Sequence, residues 1–283
     1  MGNLAVDTMV EQVDEHRYRA SLNRDWEIWG PMGGYIASYA MRAVGVEAAA
    51  AFPRPASFFC HYLSVAAFDD IDIVVTPLRT SRVAGAYRAE IVQSGRRILE
   101  ATVWAIADGV DALEHDVAVA PDLAGPDGLK NIQELVEENV PEEERNGPPF
   151  PFWNNFECRP FDFRKDWPPP EPLDPIWQQW VRFLEGDYSD AWIDACRALV
   201  LVDVQSWPAA SRPHMYKQLP IYAPSLDLYV ALHRTTSSEW LLADGSSAIG
   251  EGGLLGWTGR LWDEDRRLIA SGGGQLLCRP MRA

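Results

Sequence analysis

Two stretches of the chain alternate apolar and polar positions in the same way. Tyr87 to Ala105 lies over Trp257 to Gln275 at a constant offset, with no gap. Aromatic falls on aromatic (Tyr87, Trp257), and Ile91, Ile98 and Leu99 fall on Leu261, Leu268 and Ile269. The polar run Ser94-Gly95-Arg96-Arg97 falls on Glu264-Asp265-Arg266-Arg267. Period-two alternation on both sides of a short polar turn predicts a β-hairpin in each place. Upstream, an aromatic-rich strand opens at Ser57-Phe58 and again at Ser225-Leu226. Before each strand comes a helix-like run, Gly34-Tyr35-Ile36-Ala37 and Ala191-Trp192-Ile193-Asp194. The order helix, strand, strand, hairpin therefore occurs twice. Such a repeat predicts two similar units sharing one body.

The remaining pattern fills in around this repeat. His16 to Leu22 alternates as a strand, and a Gly/Pro-rich turn follows from Trp26 to Gly34. Apolar residues at helical spacing predict a helix from Gly34 to about Ala51, which Pro53 and Pro55 end. Strands are expected over Ser57 to Val65, Ile71 to Arg79, Ala86 to Gln93 and Ile98 to Ile106. In the second half they are expected over Phe156 to Phe163, Ile176 to Leu184, Ser225 to His233, Glu239 to Ala243, Gly252 to Leu261 and Leu268 to Leu277. A second helix is expected from Ser189 to Ser206, with Asp190 or Ser189 as N-cap. It is apolar on nearly all sides, as a buried helix is.

Composition narrows the function. The formal net charge is -16, which repels nucleic-acid phosphates and anionic membrane surfaces. Much of it sits between Asp108 and Gly147, where twelve acids face two bases. That segment reads as a solvated linker with one short helix, Asn131 to Asn139. The four cysteines (Cys60, Cys158, Cys196, Cys278) are scattered singly, so no zinc site is expected. No apolar run approaches the about 18 residues a membrane helix needs. The first residues lack the basic and apolar regions of a secretory signal. A reducing, cytoplasmic setting is the expectation.

Specific residues carry a resemblance. Trp26, Trp29-Gly30, Gly33-Gly34-Tyr35-Ile36-Ala37 and Arg42-Ala43 resemble the N-terminal motif of acyl-CoA thioesterases related to bacterial thioesterase II. Gly259-Arg260-Leu261-Trp262-Asp263, Leu268-Ile269-Ala270-Ser271 and Gln275 are similar to that family's last hairpin. The resemblance spans both halves but not the acidic linker. It implies an α+β double hot-dog fold, two tandem units in which an antiparallel sheet wraps a central helix. The expected organisation is an N-terminal hot-dog over residues 1–110, an acidic, Pro-rich linker over 111–155 and a C-terminal hot-dog over 156–283. The resemblance further implies an acyl-CoA substrate, no cofactor or metal, a place in fatty acid metabolism and a homodimer or higher homo-oligomer.

By the same resemblance an Asp, a hydroxyl residue and a Gln hold the attacking water. These point to Asp203 on the second helix, Ser225 at the head of its strand and Gln275 in the last strand. Three glycines, Gly272 to Gly274, precede Gln275, one residue more than the motif expects. Gly33, Gly34 and Tyr35 are the expected substrate contacts. The chemistry is coherent on its own terms. An aspartate in an apolar helix is unfavourable to bury unless paired or working, and burial raises its pKa toward a general base's range. Glycines at a helix start let backbone N–H groups approach a thioester oxygen. Without the resemblance, Asp203 reads equally well as a solvent-facing residue, and Ser225 as an ordinary strand start. Ser57 lies near His61 with no G-x-S-x-G turn, which disfavours a serine hydrolase. Two rivals stand beside hydrolysis: a non-catalytic acyl-CoA or lipid-binding protein, and a hot-dog hydratase or dehydratase. The hydratase class relies on an Asp/His or Glu/His pair, and no Asp-x-x-x-x-His signature stands out here. The register of Gln275 discriminates between hydrolysis and mere binding.

Overall fold

Among the described residues the alternating and helical runs become fourteen strands and five α-helices. The computed structural model describes residues 1–111 and 113–281. Helices are α1 (Leu4–Asp7), α2 (Gly33–Ala48), α3 (Ile132–Asn139), α4 (Ala191–Val204) and α5 (Ser206–Ser211). First-half strands are β1 (Glu11–Asp14), β2 (Arg17–Ser21), β3 (Arg54–Tyr62), β4 (Asp70–Thr80), β5 (Ala84–Gln93) and β6 (Arg96–Ile106). Second-half strands are β7 (Phe156–Pro160), β8 (Ile176–Phe183), β9 (Ile221–Tyr222), β10 (Asp227–Leu232), β11 (Trp240–Glu251), β12 (Leu254–Trp262), β13 (Leu268–Leu277) and β14 (Arg279–Pro280).

Twelve strands form one antiparallel sheet in the order β1-β2-β4-β5-β6-β3-β10-β13-β12-β11-β8-β7. The order is palindromic in role: β2-β4-β5-β6-β3 in one half answers β8-β11-β12-β13-β10 in the other. The halves meet at β3 and β10, where Phe59 pairs with Tyr229. Helices α2 and α4 lie on the concave face, buried on almost every side. Gly34 permits their contact. A Cβ there would come within 2.5 Å of the Leu199 carbonyl oxygen and 2.6 Å of the Val200 Cα. The two backbones touch because no side chain separates them.

Both hairpins form, but they differ by one residue. In the first, Ser94 and Gly95 take positive φ (50° and 78°) in a two-residue turn between Gln93 and Arg96. This is the backbone that suits the twist of paired strands. In the second, Trp262 pairs with Leu268 around a longer loop. The buried Asp263 carboxylate holds that loop through the Arg267 N–H and guanidinium. The extra loop residue displaces all of β13. Tyr87 pairs with Val103, but Trp257 pairs with Gly274 rather than Gly273. The gap-free alignment is therefore correct for β12 and one residue out for β13.

Two other segments depart from expectation. Strand β11 runs to Glu251, well past Ala243. Its small and polar run Asp244 to Ser247 carries little strand propensity, but Gly245 lies against the buried Gln205 side chain, which fixes it in the sheet. The acidic segment is also not wholly solvated. Leu123 and Leu129 pack on the outer face of the second half, beside Trp180, Trp240 and Trp262. Nearer β7, Phe152 and Asn155 are buried under Trp26. Among the described residues no helix is long and apolar enough to cross a membrane.

Candidate active site

Asp203 sits one helical turn beyond Leu199, so the close crossing of α4 on α2 aims it at the start of α2. It is 5 % exposed. Its Oδ2 accepts the Gly34 N–H at 2.9 Å, and its Oδ1 accepts the Ser225 hydroxyl at 3.2 Å. No cation pairs with it among the described residues. Burial pushes its pKa up to about 6, although the hydrogen bonds from Gly34 and Ser225 pull the other way. A carboxyl held there changes charge within the range of physiological pH.

The start of α2 supplies backbone donors. The N-cap Met32 takes the Tyr35 N–H on its sulfur, and Asp203 takes that of Gly34. The Gly33 N–H makes no hydrogen bond among the described residues. A Cβ on Gly33 would lie 2.6 Å from Asp203 Oδ2 and 3.0 Å from the Tyr62 hydroxyl, so only glycine leaves room beside the acid. Ser225 lies just before β10, where its backbone bridges to Leu276. Outside, Trp29 stacks edge-on against Tyr222 at 4.9 Å.

The structure thus brings together Asp203, Ser225, Gly33 and Gly34. It does not bring Gln275 or Tyr35 to them. Inner and outer faces alternate along β13: Leu276 is buried, Gln275 is exposed and Gly274 is again on the inner side, opposite Trp257. Gln275 pairs with Gly256, and its backbone N–H is held by the Asp227 carboxylate. The one-residue loop extension that shifts β13 places a glycine at the inward position. Tyr35 points to the opposite side of α2. It stacks on Trp26 at 5.1 Å, and its hydroxyl bonds Tyr39 and the Asn23 N–H. It is fully enclosed by protein, so it touches no substrate space.

Tyr62 lies outside the motif residues. The signal was present: inward positions on β3 are Phe58, Cys60 and Tyr62, and the last of these ends beside Asp203. Neither His61 nor His233 is hydrogen-bonded to the acid among the described residues. His61 stacks on Phe59 and His233 bonds Ser271.

A continuous sheet of two like halves around paired helices defines a double hot-dog protein. The sequence model for the acyl-CoA thioesterase C-terminal domain matches residues 133–275, and that for the N-terminal domain matches residues 22–106. The chain belongs to this acyl-CoA thioesterase family, whose members are thioester hydrolases. Solved structures agree in fold. An acyl-CoA thioesterase II from Mycobacterium marinum superposes with TM-score 0.78 at 19% identity, covering 98% of each chain. A hot-dog protein of unknown function from Alicyclobacillus acidocaldarius gives 0.77 at 16%, covering 98% of this chain and 97% of that one. The dehydratase domain of PpsC from Mycobacterium tuberculosis gives 0.56 at 11%, covering 99% of this chain and 100% of that one. No curated protein matches the chain by sequence.

Proposed function

We propose that this thioesterase hydrolyses acyl-CoA by direct attack of water, with Asp203 as general base. The observation that carries the reading is Asp203 itself: a buried carboxylate with no cation beside it among the described residues, tied to Gly34 and Ser225, whose pKa is raised to about 6. Above that pH it is ionised and can take a proton from water. Ser225 orients the acid, and its hydroxyl lies where it can also touch the water. The free Gly33 N–H at the positive end of α2 faces the developing oxyanion. Collapse of the tetrahedral intermediate breaks the C–S bond, and the departing thiolate takes up the proton from Asp203. No covalent acyl-enzyme is needed.

The test is CoA release from short, medium, long and aryl acyl-CoAs, run on the wild type and Asp203→Asn together. Release by the wild type and not by the variant is expected. Equal release by both removes Asp203 from the mechanism. The outward side chain of Gln275 favours a second reading, an acyl-CoA-binding protein without turnover. Tight binding with no CoA release from a folded protein would establish it. Among the described residues the acid's hydrogen-bond partners are Gly34 and Ser225 and not a histidine, which argues against the dehydratase alternative. Four unpaired cysteines support a reducing, cytoplasmic setting. Trp104 and Tyr229, exposed on the outer face of the central strands, support a homo-oligomer, which sedimentation would measure.

A further inference from the structure

One polar atom at this site has no assigned role. The Tyr62 hydroxyl is shielded from solvent and has no hydrogen-bond partner among the described residues. Buried polar atoms in folded proteins nearly always find partners, and an orphan at a reactive site is a group waiting for one. The hydroxyl and Asp203 Oδ2 both lie within 3.0 Å of a single point, the place a Cβ on Gly33 would fill. They are not bonded to each other. The other polar neighbour is the Cys60 thiol, and sulfur is a weak partner. Burial, with the Asp203 charge added, pushes the phenol well above its ordinary pKa, so it keeps its proton and acts as a donor. The pseudo-twofold relation makes the placement specific. Pairing of Phe59 with Tyr229 puts Leu232 at the position equivalent to Tyr62, so the oxygen occurs only at the end that holds the acid.

We propose that Tyr62 is a catalytic residue whose hydroxyl donates a hydrogen bond to the thioester carbonyl oxygen, the role of second polar group that the outward Gln275 cannot fill. The inference rests on the thioesterase reading above. As water adds to the carbonyl carbon, its proton passes to Asp203. The carbonyl π electrons move to oxygen, where the Tyr62 O–H and the Gly33 N–H receive the charge. When the C–S bond breaks they return to carbon.

Tyr62→Phe removes only the oxygen. The expected result is a kcat lowered by roughly 100-fold, a KM within about 3-fold and an acidic limb of the pH profile still near 6. A purely structural role would instead change KM or thermal stability. Binding separates the inference from turnover. Calorimetry would compare two unreactive CoA analogues, a ketone with methylene in place of sulfur and a thioether with no carbonyl. Tyr62→Phe is expected to weaken the ketone about 3-fold and leave the thioether unchanged, a loss of one donor bond in the ground state. Equal weakening of both, or a variant with wild-type kcat, overturns the role of Tyr62 and leaves the thioesterase reading intact. A wild type that releases no CoA, with the ketone selectivity still dependent on Tyr62, overturns hydrolysis alone. A wild type that binds neither analogue overturns both.

Discussion

The two ends of the paired helices have the same architecture and opposite chemistry. At one end α4 starts with its own cap: Asp190 accepts the Trp192 and Ile193 N–H groups at 2.9 and 3.0 Å. At the other, α2 starts with Gly33-Gly34, and the Gly34 N–H is met by Asp203 from the opposite half. Equivalent positions follow the same division. The alignment that sets Ala191 on Gly34 sets the exposed Val46 on Asp203. Across the strands, Pro55 answers Ser225 and Leu232 answers Tyr62. The α4 end also buries an acid, Asp194, but Arg197 and the Thr236 N–H pair with it. A small recess of about 50 Å³ opens there, lined by Arg54, Pro55, Leu232, His233 and Arg234. Acids of the linker side occupy its arginines, Asp108 on Arg54 and Asp116 on Arg234. One end is thus satisfied within itself, and the other keeps a titratable acid and spare donors. Duplication of a fold doubles the scaffold without doubling the site.

The strongest way to break this comparison is Asp203→Asn. Turnover is expected to fall about 1,000-fold, the scale of a lost general base, measured as CoA release with circular dichroism confirming the fold. The wild-type rate should rise with pH through about 6 and the variant's residual rate should not. Stability has the opposite sign to activity. The folded carboxyl binds its proton more tightly than the unfolded one, so stability falls as pH rises from 3.8 through about 6. Above that window Asp203→Asn is expected to unfold at higher denaturant, by up to about 3 kcal/mol.

Gly34→Ala comes next. The added methyl meets α4 backbone, which cannot give way, and a loss of about 3 kcal/mol in urea unfolding is expected. The opposite exchange at the equivalent position, Ala191→Gly, is expected to change stability by only about 1 kcal/mol. Equal losses would show that the two helix starts are not packed differently.

Ser225→Ala is expected to lower turnover by roughly 10-fold and to move the acidic limb upward, because a bond that favours the ionised form is lost. An unshifted limb would mean that Ser225 does not bear on Asp203 in solution. The smallest effect is expected for Gln275→Ala, with turnover within about 2-fold of wild type, as is usual for an exposed strand residue. A large loss there would restore Gln275 to the reaction and require β13 to move one residue.

Much of the architecture was legible because it is local. The helix starting at Gly33, capping by Asp190 and the alternation of β4, β5 and β6 all follow from spacing along a few residues. Asp203 was reached only through the resemblance, since α4 also carries Asp194 and Arg197 and an acid near a helix end reads equally well as solvent-facing. The continuation of strand β11 past Ala243 was not legible, because Gly245 and Ser246 enter the sheet through the packing of Gln205 and pairing on both sides, not through their own propensity. Tyr35 belongs to the motif residues but not to the site, because helical geometry turns it toward Trp26.

The sequence by itself determined the repeat and the two buried helices, both carried by side-chain type at short periods. Only the tertiary structure decided which end of the body holds Asp203, Ser225 and Tyr62 together. That choice depends on contacts far apart in the chain: Gly34 on Leu199, Ser225 on Asp203 and Tyr62 over Gly33. It depends equally on one extra loop residue after Trp262. In a strand of period two, that single residue turns Gly274 inward and Gln275 out.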